Sequence, residues 1–377
     1  MKKMIAAVTS MVMLCGMTSC GTKDEKDSNS KKTVGICMPT AELERWNTDG
    51  EYLKNSFEKA GYEVKLTFSN NDATRQNNDV LGILNEGVDL LLIAAVDGNA
   101  LAKPLDEAMG KGVPVVAYDR LIMNTKAITY YISFDNLEVG KLQGAYIRDA
   151  LDLDHTSGPY NIEIVSGDSA DNNARMFFDG AYDVIQPYIE SGKLRILSGN
   201  TTFEDTATKG WLTSNAEKDM KKTFGKYYTS EKLDAVLCAN DSTALGVTKA
   251  LAGNYKGNNQ PVITGQDGDI DNLKNIIDGK QSMTVFKNVR DEASVAFEVS
   301  KRILNGETPT GRLIDSLAVD VRYDTESYQN GAKYVQSYLL VPTVLTKDNL
   351  QVMVNTGMYK WDDSGKYIEA VTKAAEK

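Results

Sequence analysis

Polar side chains able to grip a ligand collect just downstream of short apolar runs. Val34–Met38 is followed by Leu43-Glu-Arg-Trp46, and Val88–Val96 by Asp97-Gly-Asn99. Val113–Tyr118 leads to Asp119 and Arg120, and Tyr130–Phe134 to Asp135-Asn136. The run ending at Gly167 is followed by Asp168, then Asp171-Asn172-Asn173-Ala-Arg175. Ala235–Ala239 precedes Asn240-Asp241, Val262–Gly265 precedes Gln266-Asp267, and Met283–Phe286 precedes Lys287, while Trp211 opens a helix-like stretch. This set of carboxylates, amides, guanidiniums, an ammonium and two indoles suits a neutral, polyhydroxylated ligand. Each hydroxyl donates once and accepts twice, planar groups can pair with two neighbouring hydroxyls, and an apolar C–H face stacks on an aromatic ring. A phosphate would instead need a glycine-rich cradle or several cations, and neither G-x-x-x-x-G-K-[ST] nor G-x-G-x-x-G occurs. Each residue alone has a plainer reading. An Asp or Asn after a strand often caps the next helix, as expected for Asp241 and Asp269, and a single Trp often packs between elements. Capping does not explain Trp, Arg and Lys arriving at the same kind of position.

Those positions need elements to hold them. From residue 33 short apolar runs alternate with amphipathic stretches. Val34–Met38, Val64–Phe68, Val88–Ala95 and Val113–Tyr118 read as strands, the third apolar enough to be buried on both faces. Tyr52, Leu53, Ser56, Phe57 and Ala60 recur at helical spacing, with Asp49 a candidate N-cap and Gly61 a candidate stop. The rhythm repeats with strands at Ile162–Val165, Leu194–Leu197, Ala235–Leu237, Val262–Thr264 and Met283–Phe286, separated by helix-like stretches near 175–190, 210–224, 242–252 and 270–278. Such a series predicts an α/β fold of two Rossmann-like lobes with parallel sheets, whose ligands bind beyond the carboxyl ends of the strands. Tyr130–Asp135, between the two units, reads as a crossover strand.

Composition narrows the function. The chain has 377 residues, 42 Lys and Arg against 52 Asp and Glu, and a formal charge of −10. Its length favours two cores, and its acidity argues against a nucleic-acid partner. A single histidine, His155, makes histidine-rich metal sites impossible and histidine-based catalysis remote. Gly167-Asp-Ser169-Ala-Asp171 fails the G-x-S-x-G pattern, and His155 precedes that serine, so no hydrolase reading follows. Asp267, Asp269, Asp271 and Asp278 have calcium-loop spacing, but Asn272 stands where glycine is required, so no metal and no cofactor is expected.

The first twenty residues read as an address. Lys2 and Lys3 precede the short apolar run Met4–Met17, which is too short to span a bilayer but suits a secretory signal. Met17-Thr-Ser-Cys20 resembles a bacterial lipobox, which implies a signal peptide over 1–19 and lipidation of Cys20; plain cleavage nearby is the alternative. Residues 20–32, polar beyond Cys20, read as a tether. Cys37 and Cys238 sit in apolar runs and read as buried thiols on different strands.

The stretches LERW (43–46), VVAYDRLI (115–122), YISFDNLEVGKLQ (131–143), DNNA (171–174), VITGQDGD (262–269) and MTVFK (283–287) are similar to those of bacterial sugar-binding proteins that serve ABC transporters. GPYNIEIVSG (158–167) and AAVDGNAL (94–101) point to the multiple-sugar-binding branch, with the xylose-binding proteins close by. The resemblance spans about residues 33–360 and implies a type I periplasmic-binding-protein fold with three crossovers. It implies a binding protein, not an enzyme, that captures a monosaccharide (an aldopyranose such as xylose, glucose, galactose or arabinose). The contacts it implies are Arg45, Trp46, Asp119, Arg120, Asp171, Asn173, Trp211, Asn240, Asp267 and Lys287. Lobe one would comprise 33–133 and 287–316, and lobe two 134–286 and 317–377, with the last crossing near Leu317–Val321. The implied partner is an ABC permease, with a monomeric protein anchored outside a bacterial membrane; the alternative is a sugar sensor docking on a chemoreceptor or sensor-kinase ectodomain. A LacI-type repressor shares the core but needs a basic DNA-binding headpiece, where this chain has a signal segment and a polar tether. Residues 361–377 extend past the usual end, and Tyr367, Ile368, Val371 and Ala375 could form a docked apolar face.

Overall fold

The computed structural model describes residues 31–371. The signal segment, Cys20, nearly all of the tether, and Ala375 lie outside the described residues. The first unit runs β1 (Thr33–Met38), α1 (Glu44–Lys59), β2 (Glu63–Phe68), α2 (Ala73–Asn85), β3 (Leu90–Ile93), α3 (Ala102–Gly110), β4 (Val115–Tyr118) and β5 (Ile128–Phe134). The second runs α4 (Asn136–Ala150), β6 (Tyr160–Val165), α5 (Asn172–Glu190), β7 (Leu194–Arg195), α6 (Phe203–Thr206), α7 (Thr213–Tyr227), β8 (Ala235–Cys238), α8 (Asp241–Asn254), β9 (Val262–Ile263), β10 (Gln266–Asp267), α9 (Ile270–Ile277) and β11 (Thr284–Phe286). Then follow α10 (Val289–Leu304), β12 (Val321–Asp324), β13 (Ser337–Leu340), β14 (Thr343–Leu345), α11 (Gln351–Asn355), β15 (Tyr359–Trp361) and β16 (Ile368–Ala370).

One sheet has the order β12-β13-β5-β4-β3-β1-β2, parallel except for the edge strand β12. Its central strands are buried on both sides, and the two-residue period of a strand divides their side chains between two cores. Val34, Ile36, Met38, Leu90 and Leu92 pack with α1 and α10 on one face, while Cys37, Leu91 and Ile93 pack with α2 and α3 on the other. The second unit forms a parallel sheet β7-β6-β8-β9 and a small sheet β10-β11-β14. Cys37 and Cys238 are free and buried in different sheets, and burial pushes the Cys37 thiol up to about 12.

The chain passes between the units three times: after β5, after β11 and after β13. The third passage corrects the expected boundary. β13 lies parallel beside β5 and β12 pairs with it, so residues 321–340 belong to the first sheet and the crossing falls between Leu340 and Thr343. Apolar content says that such strands are buried, but not which sheet takes them up. Asp49 is not a cap either. α1 starts at Glu44 with Leu43 in the N-cap position, which places Asp49 inside the helix, fully buried. Gly61, at φ 92, does end it. Asn240 rather than Asp241 caps α8, and Asp269 precedes α9 without a side-chain cap bond. Helices α4 and α5 approach closely because Gly140 leaves room: a Cβ there would come 2.1 Å from the Phe177 carbonyl.

The C-terminal extension is docked. The antiparallel hairpin β15–β16 packs on α9 and α11, with Ile368 fully buried among Leu273, Ile276, Phe286 and Met353, and Tyr367 half-buried beside it. Val371, by contrast, is exposed. Truncating Ile368 to Ala removes methyl groups buried within this cluster. The expected cost is ~2–5 kcal/mol, read as a lower urea midpoint with an unchanged slope; an unchanged midpoint would mean that the hairpin is not part of the cooperative unit.

Candidate functional site

Every strand that feeds the site ends on the same rim. Arg45 and Trp46 lie in the first turn of α1, just after β1. Asp119 and Arg120 follow β4; Asp171 and Asn173 occupy the start of α5 after β6. Asn240 leaves β8, Asp267 closes β10, and Lys287 follows β11. Trp211 ends a short 3-10 turn at 209–211. All ten residues line one cavity of ≈ 490 Å³, between the carboxyl ends of the two sets of strands. Leu43, Phe177, Gln266, Ile270 and Ala370 complete part of its wall.

The cavity is charged but internally matched. Arg45 pairs with Asp119, reaches Glu292 at 3.0 Å, and faces Asp267 across the cleft at 3.5 Å. Arg120 Nε lies 3.0 Å from Asp171 and its Nη1 donates to the Ala95 carbonyl at 2.9 Å. Lys287 stands 3.5 Å from Asp119 and 3.7 Å from Asp267. Asn173 donates to the Asp119 carbonyl at 2.6 Å, and Asn240 caps α8 through its Oδ1 while its Nδ2 donates to Asp267 at 3.3 Å. Burial pushes the Asp119 carboxyl up, but Arg45, Lys287 and Arg120 outweigh it and hold it down at about 2. Asp171 goes the other way: burial raises it, and Arg120 only partly opposes.

The aromatic groups are set by backbone geometry. Trp46 is buried, with the guanidinium carbons of Arg45 and Arg120 at 4.7 and 5.1 Å from its ring centre. Trp211 lies against Gly167, where a Cβ would come within 1.9 Å of the indole, and meets Phe177 edge-on at 6.3 Å. Three cavity residues, Asp119 (φ 58), Trp211 (φ 59) and Asp267 (φ 107), hold left-handed backbone without being glycine. Such conformations cost roughly 1–3 kcal/mol each and concentrate at ligand clamps.

Other polar residues noted in the sequence do local work instead. Asp97 accepts from the Asn99 amide, Asp135 caps α4 and pairs with Arg322, Asp168 accepts from the Ala170 amide, and Arg175 pairs with exposed Glu204. Two buried carboxylates near the site were not legible: Asp49, read as a cap, and Glu292, which looks like any polar position of an amphipathic helix. Phe177 was missed for the same reason, since nothing in a helical pattern says which apolar residue meets a cavity.

Residues 34–308 match the periplasmic binding protein domain family. The multiple sugar-binding periplasmic receptor ChvE of Rhizobium radiobacter is 39% identical over 336 residues, which cover 88% of this chain and 92% of that protein. The D-xylose-binding periplasmic protein of Escherichia coli is 33% identical, covering 87% and 91%. The chain belongs to the periplasmic sugar-binding proteins of ABC transporters. Among solved structures, an ABC transporter solute binding protein from Clostridium phytofermentans with bound β-D-glucose is 44% identical with a TM-score of 0.82, covering 89% of this chain and 99% of that one. A carbohydrate transporter solute binding protein from Chloroflexus aurantiacus, in complex with D-glucose, is 30% identical with a TM-score of 0.75 and covers 89% and 98%. This is a family of binding proteins rather than enzymes. Its two-lobed α/β fold is the one described above.

Asp49 gives the periplasmic binding protein a pH signature. Burial, reinforced by Asp119 and opposed by Arg45, pushes its carboxyl from the ordinary 3.8 up to about 7. A raised acid binds its proton more tightly when folded, so the stability it lends is complete below about pH 4 and lost as pH climbs through about 7. Asp49→Asn removes that loss. The melting-temperature difference, variant minus wild type, should therefore be more positive at pH 8 than at pH 4, and equal differences would mean that Asp49 stays ionised throughout.

Proposed function

We propose that this protein is an extracytoplasmic lipoprotein that captures an aldopyranose between its lobes and delivers it to an ABC permease. The observation that carries this reading is the convergence of Trp46, Trp211 and eight hydrogen-bonding side chains on one cavity. The cations there already face carboxylates, so the pocket offers directional hydrogen bonds without an unmatched cation to hold an anion. That favours a neutral ligand. The relatives add weight: one is named for multiple sugars, another for D-xylose, and two solved neighbours hold glucose.

In this reading Arg45 and Arg120 donate to ring and hydroxyl oxygens, and Lys287 donates beside them. Asp119, Asp171 and Asp267 accept from hydroxyls. Asn173 and Asn240 do both, and the two indoles bracket the ring. The sugar binds one lobe first, and closure about the three crossovers adds the other lobe's bonds, so ligand shifts the population towards the closed form. The closed form presents both lobes to the permease at a fixed spacing. Lipid on Cys20 keeps the protein at the outer face of the membrane.

Thermal shift and calorimetry against xylose, glucose, galactose, arabinose, ribose, inositol and disaccharides test the ligand. An aldopyranose at a hundredfold excess over its Kd should stabilise the fold by about 2.7 kcal/mol. Asp267→Ala should weaken that binding by ~1.5–3 kcal/mol, the worth of a charge-assisted hydrogen bond. Absence of stabilisation by every monosaccharide would overturn the reading, and undiminished sugar uptake in a deletion strain would overturn delivery to a permease.

A further inference from the structure

The guanidinium of Arg45 is held from behind by side chains that do not line the cavity. Arg45 and Asp49 are four residues apart on α1 and so share a face of that helix. α10 packs against α1 and brings Glu292 to the same point. Both carboxylates are fully buried. Arg45 Nη2 donates to Glu292 Oε2 at 3.0 Å and also to Asp119 Oδ2. Its Nε faces Asp49 Oδ2 at 3.7 Å, and its Nη1 faces Asp267 across the cleft at 3.5 Å. Glu292 Oε1 has no hydrogen-bond partner among the described residues.

We propose that Glu292, seconded by Asp49, is a positioning residue that fixes the plane of the Arg45 guanidinium and so presents Nη1 to the bound sugar. This rests on the sugar-binding reading above. An arginine side chain is long and rotamer-rich, and the affinity it contributes depends on how much of that freedom is already spent before the ligand arrives. Asp119 alone can balance the charge of Arg45, but a single carboxylate leaves the group free to swing about that bond. Glu292 supplies the second fixed point on the same nitrogen, and Asp49 limits movement at Nε. Without them Arg45 can turn further onto Asp267 and occupy the hydrogen-bonding partner that the ligand needs.

A carboxylate at position 292 is a poor choice for stability alone. Burial, then Asp119 and Asp49, push it well above the ordinary range although Arg45 and Lys287 oppose them. Buried ion pairs can commonly be replaced by apolar groups of similar size without loss of stability. Its position at the back of a ligand-facing arginine points to orientation rather than to packing.

A double-mutant cycle read by calorimetry with D-glucose and D-xylose tests this. Glu292→Ala should weaken binding by about tenfold, since it removes one charge-assisted hydrogen bond from Arg45. Glu292→Gln, whose amide oxygen still accepts from Nη2, should recover most of that loss. In an Arg45→Ala background the Glu292→Ala change should cost less than about twofold, because its effect passes through the missing side chain. Equal losses in both backgrounds, wild-type affinity for Glu292→Ala, or no recovery by Glu292→Gln would each overturn the proposal. Should Glu292→Ala not fold, Glu292→Met enters the cycle in its place with the same expected outcomes. Should another aldopyranose of the panel above bind in place of these two, the cycle is read with that sugar; if none binds, the ligand reading fails first and takes this proposal with it.

Discussion

A carboxylate taken out of water must keep its cations, and in this protein Asp119 is the group on which that requirement falls hardest. Its side chain meets Arg45 and Lys287, and its carbonyl accepts from Asn173, Tyr131 and Ser133. Its backbone is left-handed. Helix α1, strands β4 and β5, the start of α5 and the crossover after β11 are thereby tied to one residue at the end of a strand. The positive potential of three basic groups keeps that carboxylate ionised despite full burial. Without it Arg45 and Lys287 would be buried with too little compensation, which costs far more than an ion pair contributes.

The same constraint accounts for the kind of pocket that results. Three basic groups and five carboxylates line the cavity, so every cation there is matched by a carboxylate while the individual donors and acceptors stay directional. A hydroxylated ring can exchange its water hydrogen bonds for these groups without a charge of its own. The indoles supply apolar area that water solvates poorly, and the placement of Trp211 depends on backbone features rather than on sequence neighbours. Gly167 leaves the space for Trp211, and the left-handed turn at Trp211 itself aims the ring.

Two lobes sharing three chain passages are the moving part of the proposed mechanism. The groups on Arg45 come from both units, with Asp119 and Glu292 on one side and Asp267 on the other. In the proposed mechanism, opening separates Arg45 from Asp267 while leaving Arg45 on Asp119, and Lys287, next to the strand residue paired with Asp267, stays beside Asp267. The Arg45 pair that crosses the cleft is the longer one, at 3.5 Å, and Arg45 is closer to Glu292 on its own side at 3.0 Å. That ordering lets the first lobe keep a prepared half-site while the second lobe comes and goes.

Much of this was legible before any coordinates. Alternating apolar runs and amphipathic stretches specify parallel strands and covering helices, because a strand buried on both faces has to be continuously apolar. The rule that loops at strand carboxyl ends carry the site gives a wider set of polar residues, and the resemblance to bacterial sugar-binding proteins picks Arg45, Trp46, Asp119, Arg120, Asp171, Asn173, Trp211, Asn240, Asp267 and Lys287 from it. The tertiary structure decided the rest. It assigned β12 and β13 to the first sheet, since apolar content alone does not choose which sheet a strand joins. It turned Asp49 from a helix cap into a buried partner of Arg45, because a helix start depends on where the preceding loop is anchored. It also brought Glu292 from a helix more than two hundred residues downstream, which no local pattern encodes: a long-range contact between charged groups is fixed by how two helices pack, and packing is a property of the whole chain.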